Sequence, residues 1–142
     1  MNSSVLKSAG AVLAGFLAAI GLSPATDAAL EAIGFYPRPG DAAVYSTGMF
    51  IASLAYRTLF TGVGGFIIAR LAPRSPMKHV AVLAVVATLL GIGGIVASWH
   101  VLPHWYVFGQ ALLAFPAVWL GGTLALRRPA GEAGQLPSRG PA

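Results

Sequence analysis

The chain has 142 residues, of which 56% are hydrophobic and only 9% are charged, whereas a soluble domain carries about 25% charged residues. A protein of this size needs polar side chains over most of its surface, and this chain has too few of them. The composition therefore excludes an ordinary soluble globule. It predicts a single domain for which lipid is the main solvent.

The net charge of +5 and the absence of cysteine exclude further classes. Without cysteine there is no disulfide, thiolate nucleophile or cysteine-bound zinc. The basic residues flank apolar runs, where they determine topology rather than form a nucleic-acid interface. We therefore expect the lipid bilayer as a partner, and we expect no nucleic acid and no cofactor.

Four apolar segments are long enough to cross the roughly 30 Å hydrocarbon core as helices. They cover residues 5–22, 45–70, 79–98 and 104–126. None shows the sustained alternation that is typical of barrel strands. The sequence thus predicts an all-α, transmembrane four-helix bundle over residues 1–128. A disordered cytoplasmic tail, rich in proline and glycine, is expected at 129–142.

The first segment has two interpretations. Residues 23–25 could form the cleavage site of a signal peptide, but Lys7 is the only basic side chain before the apolar run, which favours an uncleaved helix. We then expect a break near residues 21–24. After it, Ser23 can cap a short outer interfacial helix with Pro24 at its first position.

Charge asymmetry orients the bundle. Only Arg38 lies on one side outside the membrane, and seven bases lie on the other. These are Lys7, Arg70, Arg74, Lys78, Arg127, Arg128 and Arg139. Because basic loops stay in the cytoplasm, both termini are expected there.

The opposite, outer side carries acids and aromatic rings. Asp27, Glu31 and Asp41 fall in the outer connection between the first two spans. The indole and phenol rings of residues 99, 105 and 106 cluster at the outer ends of the last two spans. Amphipathic rings favour the headgroup layer, so we expect Trp99, Trp105 and Tyr106 there.

Arg57 is the only charged residue deep within an apolar segment. At 1.5 Å per residue it lies about 18–20 Å from either end of its span. A central arginine costs roughly 2.5–3.5 kcal/mol or more unless it is paired or hydrated. It shares one helical stripe with Ser46, Ser53, Thr61 and the glycines at 64–65. We therefore expect Arg57 to face protein or water.

Two interpretations of Arg57 stay open. It could pair with an acid of the outer connection or with Gln110, and only fix helix packing. Alternatively, it anchors an outward-opening pocket for a small anionic ligand or a lipid headgroup, since its planar fork fits a carboxylate or phosphate. In that case Ser53, Thr61 and Gln110 form the hydrogen-bonding walls, and Asp27 or Glu31 acts as a competing gate.

Other motifs favour structural explanations. His100 and His104 lack a third ligand nearby in sequence, so no metal site is predicted. The glycine clusters at 62–65, 91–94 and 121–122 lack the context of a phosphate loop, and their small-xxx-small spacing is typical of helix packing. No acid lies within a span, so an enzyme would depend on outer side chains, and we predict no catalytic residue.

Residues 55–79 (AYRTLFTGVGGFIIARLAPRSPMKH), HWY at 104–106 and FPAVWLGG at 115–122 resemble short four-span membrane proteins of GC-rich bacteria. That family has no assigned function. The resemblance implies a multi-pass topology in a bacterial inner membrane, and it supplies no catalytic motif.

Two functional hypotheses follow. The first is an integral membrane protein that binds or passes a small anionic or polar ligand at Arg57. The alternative is a non-catalytic accessory or scaffold subunit that packs against other membrane proteins through its small-residue faces. Association with a second copy of the chain is compatible with either hypothesis.

Overall fold

The computed structural model describes residues 3–37 and 44–127. This part of the chain folds into four helices: α1 (Ser3–Ala32), α2 (Thr47–Leu71), α3 (Pro76–Ser98) and α4 (His104–Leu126). All four are long and apolar enough to cross a membrane. The all-α four-helix prediction is confirmed, and the chain is a multi-pass membrane protein. Arg38, Asp41 and the tail at 129–142 lie outside the described residues.

The first helix is longer than predicted. α1 runs through Pro24 for 30 residues, because membrane helices tolerate an interior proline. It ends where Gly34 adopts a φ of +77°. There the amides of Gly34 and Phe35 donate to the carbonyls of Glu31 and Leu30 at 3.0 and 2.9 Å, which is a Schellman cap. The expected break at 21–24 is wrong, and the residues that were expected to form a separate outer helix are the last turns of α1.

The bundle has two chemically distinct ends. What we call the basic end carries the charged side chains of Lys7, Arg70, Arg74, Lys78 and Arg127. What we call the aromatic end carries Tyr36, Tyr45, Trp99 and Trp105. Tyr106 also lies there but is only 4% exposed, so its predicted place in the headgroup layer is wrong. Its ring points into the bundle.

Small residues bring the helices together at three interfaces. A Cβ added to one glycine of each pair would lie closer than 3.0 Å to the facing residue. The pairs are Gly15 with Gly64, Gly65 with Val118, Gly62 with Gly121, Gly91 with Ala111, and Gly122 with Val80. The predicted packing role of the small residues is confirmed at these positions. In lipid, helices associate through van der Waals contact at close approach and not through the hydrophobic effect, so small residues are favoured where two helices meet.

The bundle is open on one side. α1 packs mainly on α2, and α3 packs mainly on α4, while α1 and α3 hardly touch. A Cβ at Gly94 of α3 would meet nothing within 4 Å. The predicted packing role of Gly94 is therefore wrong, because this glycine faces open space instead of a neighbouring helix.

Candidate functional site

Arg57 lies within the bundle, in an ion pair. Its Nη2 donates to Oδ2 of Asp27, and its Nε donates to Oγ of Ser53 at 3.0 Å. The side chains of Arg57 and Asp27 are 34% and 26% exposed, respectively. The charge is therefore paired, as the packing interpretation requires, and it is also accessible, as the ligand interpretation requires.

The direction of Arg57 follows from the helix that carries it. Side chains on a helix tilt toward its N-terminus, and α2 begins at the aromatic end. Arg57 lies ten residues after Thr47, about 15 Å below that end. Its guanidinium thus reaches one turn upward, to Ser53, and meets Asp27 across the α1–α2 interface.

Two tyrosines complete the polar network. Tyr56 donates its hydroxyl proton to the second carboxylate oxygen of Asp27, Oδ1. The Tyr106 hydroxyl and Ser53 Oγ lie 2.8 Å apart in a buried hydrogen bond. Sequence reasoning missed both as site residues. The position of Tyr56 next to Arg57 was a signal, whereas nothing in the sequence indicated that Tyr106 faces inward.

A cavity of about 370 Å³, here called the central cavity, lies beside Arg57 in the middle of the bundle. Its lining includes Phe16, Ser23, Arg57, Thr61, Gly94 and Gln110. Most of the remaining lining is apolar or small. This volume is in the lower range of small-molecule sites.

A second cavity of about 290 Å³, here called the aromatic cavity, lies on the other side of Arg57, toward the aromatic end. Its lining includes Asp27, Glu31, Tyr36, Tyr45, Phe50 and Tyr106. Burial and then the negative charges of Glu31 and Asp27 raise the pKa of Tyr45. The cavity is therefore charged as well as aromatic.

The remaining predicted site residues occupy these walls in different ways. Thr61 donates its hydroxyl to the Arg57 carbonyl at 2.8 Å, and it lines the central cavity. Gln110 lines the central cavity and a small adjoining space of about 40 Å³ with Arg57 and Thr61. It makes no side-chain hydrogen bond within the described residues. Glu31 lines the aromatic cavity, and no ion-pair partner for it occurs in the described ranges.

The histidines lie at both ends of the bundle, with His79 at the basic end and His100 and His104 at the aromatic end. His104 stacks on Trp99 with ring centroids 4.1 Å apart and contacts the Trp99 carbonyl through Nε2 at 3.1 Å. Among residues 3–37 and 44–127, no three metal-capable side chains come together.

In the described structure, Asp27 and Ser53 contact the guanidinium of Arg57. Thr61 and Gln110 line the central cavity beside it, and Glu31 lines the adjoining aromatic cavity. Such an arrangement can bind an anion through Arg57 and hydrogen-bond its neighbours. No family model, curated protein or solved structure matches the chain.

Proposed function

We propose that the protein resides in a bacterial inner membrane, with both termini in the cytoplasm, and binds or passes a small anionic or polar ligand at Arg57. The orientation rests on the excess of basic residues at one end of the bundle, since such residues stay in the cytoplasm. The aromatic end and its cavity then face outward.

The observation that carries the proposal is the position of Arg57 between two cavities. A guanidinium has five N–H donors, and the bonds to Ser53 and Asp27 use one each. Further N–H groups remain for a ligand, and their planar arrangement fits carboxylate or phosphate oxygens. A residue that served packing alone would not need space on both sides.

Asp27 has a defined role in this proposal. Its carboxylate occupies the position that a ligand anion would take on Arg57, so it neutralises the guanidinium in the absence of ligand. Binding then exchanges one anion for another on Arg57, so the guanidinium is never left unpaired in a low-dielectric interior. The displaced carboxylate keeps the hydrogen bond from Tyr56. Asp27 is therefore a competitor of the ligand as well as a partner of Arg57.

The test is the opposite response of two variants to an anion probe. Inorganic phosphate is titrated into the purified protein in detergent, and binding is followed by calorimetry. We expect Arg57→Leu to lose phosphate binding. Asp27→Asn should strengthen it roughly ten- to hundredfold, because a charged hydrogen-bonded competitor, worth about 1.5–3 kcal/mol, is removed.

The matched control is Glu31→Gln, which removes one negative charge without touching the ion pair. It should change phosphate affinity less than Asp27→Asn does. Weaker or unchanged phosphate binding in Asp27→Asn contradicts the exchange mechanism. Phosphate binding that survives in Arg57→Leu contradicts the proposed site.

The alternative, an accessory subunit, is favoured by one observation: Arg57 already has a partner in Asp27. Against it, the small residues expected to contact other proteins are used inside the chain, as with Gly64 against Gly15 and Gly121 against Gly62. If this alternative holds, both single variants lower stability and neither changes phosphate binding in the manner expected above.

A further inference from the structure

The two cavities and Arg57 are arranged in a fixed order along the bundle. Arg57 and Leu102 contribute to the walls of both cavities, so the cavities meet at this level. The aromatic cavity lies at the aromatic end, whereas the central cavity passes beside Arg57 and reaches deeper into the bundle, to Leu83 and Phe16. The aromatic cavity, Arg57 and the central cavity differ in chemistry, and their order restricts which ligand can occupy all three.

The aromatic cavity suits an organic amine. When the ligand anion displaces Asp27 from Arg57, the lining carries two carboxylates that can attract an amine, Asp27 and Glu31. The rings of the wall form a continuous series, with centroid distances of 5.2 Å for Tyr36–Tyr45, 5.5 Å for Tyr45–Phe50 and 5.0 Å for Phe50–Tyr106. Aromatic rings combined with a carboxylate attract ammonium groups.

The central cavity suits a hydrocarbon chain. Along α3 its lining extends from Ser98 to Leu83, a distance of about 22 Å at 1.5 Å per residue. This is more than half of the roughly 30 Å hydrocarbon core. Apart from the polar groups near Arg57 and Ser98, the walls are apolar or small.

The central cavity also has a route to the membrane. A largely apolar furrow of about 590 Å³ continues from it between α1 and α3, sharing Phe16 and Leu83 with its lining. Because α1 and α3 hardly touch, an acyl chain can pass between them without crossing water. The furrow would be filled by lipid chains in any bilayer.

From this order we infer that the ligand is a zwitterionic single-chain amphiphile. Its amine occupies the aromatic cavity, its phosphate or carboxylate binds Arg57, and its chain lies in the central cavity. The sequence amine, acid, chain along the molecule matches the sequence Glu31, Arg57, Leu83 along the bundle. The inference rests on the proposed function and names the ligand class of the same site.

The test uses photoreactive lysophosphatidylethanolamine with a diazirine in mid-chain, incorporated into vesicles with the full-length protein. Labelled residues are mapped by mass spectrometry. We expect labelling of the α1 and α3 residues that line the central cavity. Gly94→Leu should reduce it at least about tenfold, because the new side chain fills the cavity.

Gly93→Leu is the matched control, because a Cβ at Gly93 also meets nothing within 4 Å but Gly93 does not line the central cavity. The Gly93→Leu variant should be labelled by the probe to the same extent as the original protein. A third arm replaces the probe with its lysophosphatidic acid analogue, which lacks the amine. The original protein should prefer the amine-bearing probe, and Glu31→Gln should reduce this preference, because Asp27 remains as the other carboxylate of the lining.

Three outcomes overturn the inference. Labelling confined to outward-facing residues and insensitive to Gly94→Leu means that the probe binds only as surrounding lipid. Equal labelling by both probes in the original protein contradicts the amine site. Phosphate binding that depends on Arg57, without labelling of the cavity, rejects the amphiphile and leaves the proposed function standing. Loss of both responses rejects the two proposals together.

Discussion

The α2–α4 interface and the α1–α3 gap both carry clustered glycines, but only the first is closed. A Cβ at Gly121 would overlap the Gly62 carbonyl of the neighbouring helix, whereas one at Gly94 would meet nothing within 4 Å. The α2–α4 contact is the most extensive in the described bundle, and the α1–α3 contact is the weakest. Glycine in a membrane helix can therefore serve close packing or keep a cavity open.

The same difference appears in the polar residues. Ser53 and Tyr106 join α2 to α4 through a buried hydrogen bond, so this side of Arg57 is fixed. On the other side, Arg57, Thr61 and Gln110 face the central cavity. The bundle thus consists of a tightly packed half that positions the guanidinium and an open half that exposes it.

The largest effect is expected from Gly121→Leu. Its side chain would displace the backbone of α2, and overpacking of this kind costs roughly 3 kcal/mol or more. Gly94→Leu, the same substitution on the open side, should leave the free energy of unfolding nearly unchanged. Unfolding in sodium dodecyl sulfate, followed by circular dichroism, measures both variants. Equal destabilisation by the two substitutions would contradict the division between packed and open halves.

The next effect concerns the ion pair. Asp27→Leu leaves Arg57 without its partner, and we expect a loss of about 1–3 kcal/mol, below the value for a fully buried pair because both groups are partly exposed. The double variant with Arg57→Met should be more stable than Asp27→Leu alone, since no charge is then left unpaired. The same unfolding assay gives the coupling energy, and a coupling near zero would show that the pair is not a unit.

A smaller effect is expected from Tyr106→Phe. This substitution removes the hydroxyl that contacts Ser53 at 2.8 Å and keeps the buried ring. A loss of about 1 kcal/mol is expected, the usual net contribution of such a bond. Tyr45→Phe is the control, because its ring is only half-buried and lies outside the helices. A smaller loss for Tyr106→Phe than for the control would argue against a structural role of the Ser53 bond.

The smallest effect on stability is expected from Glu31→Gln. Glu31 makes no ion pair within the described residues, so its neutralisation should change the free energy of unfolding by less than about 0.5 kcal/mol. A larger loss, measured in the same assay, would mean that Glu31 has a structural partner. Its role in an amine site would then have to be reconsidered.

The individual residues explain where sequence reasoning succeeded and failed. The depth of Arg57 and its stripe with Ser53 and Thr61 could be predicted, because 3.6-residue periodicity and a constant rise are local properties of a helix. The choice of Asp27 among three acids could not be predicted, since it depends on how far α1 continues beyond Pro24. The clustering of Tyr106 with Trp99 and Trp105 predicts the headgroup layer for all three rings, and only the rotation of α4 turns Tyr106 inward.

The amino-acid sequence by itself determined that the chain crosses a membrane as four helices and that one arginine is located deep among apolar residues. These conclusions follow from hydrophobicity, length and charge, which act locally along the chain. Only the tertiary structure decided which glycines pack and which line a cavity, and which acid meets Arg57. Those outcomes depend on the rotation and separation of helices that are distant in sequence, and close packing at three interfaces leaves the fourth side open.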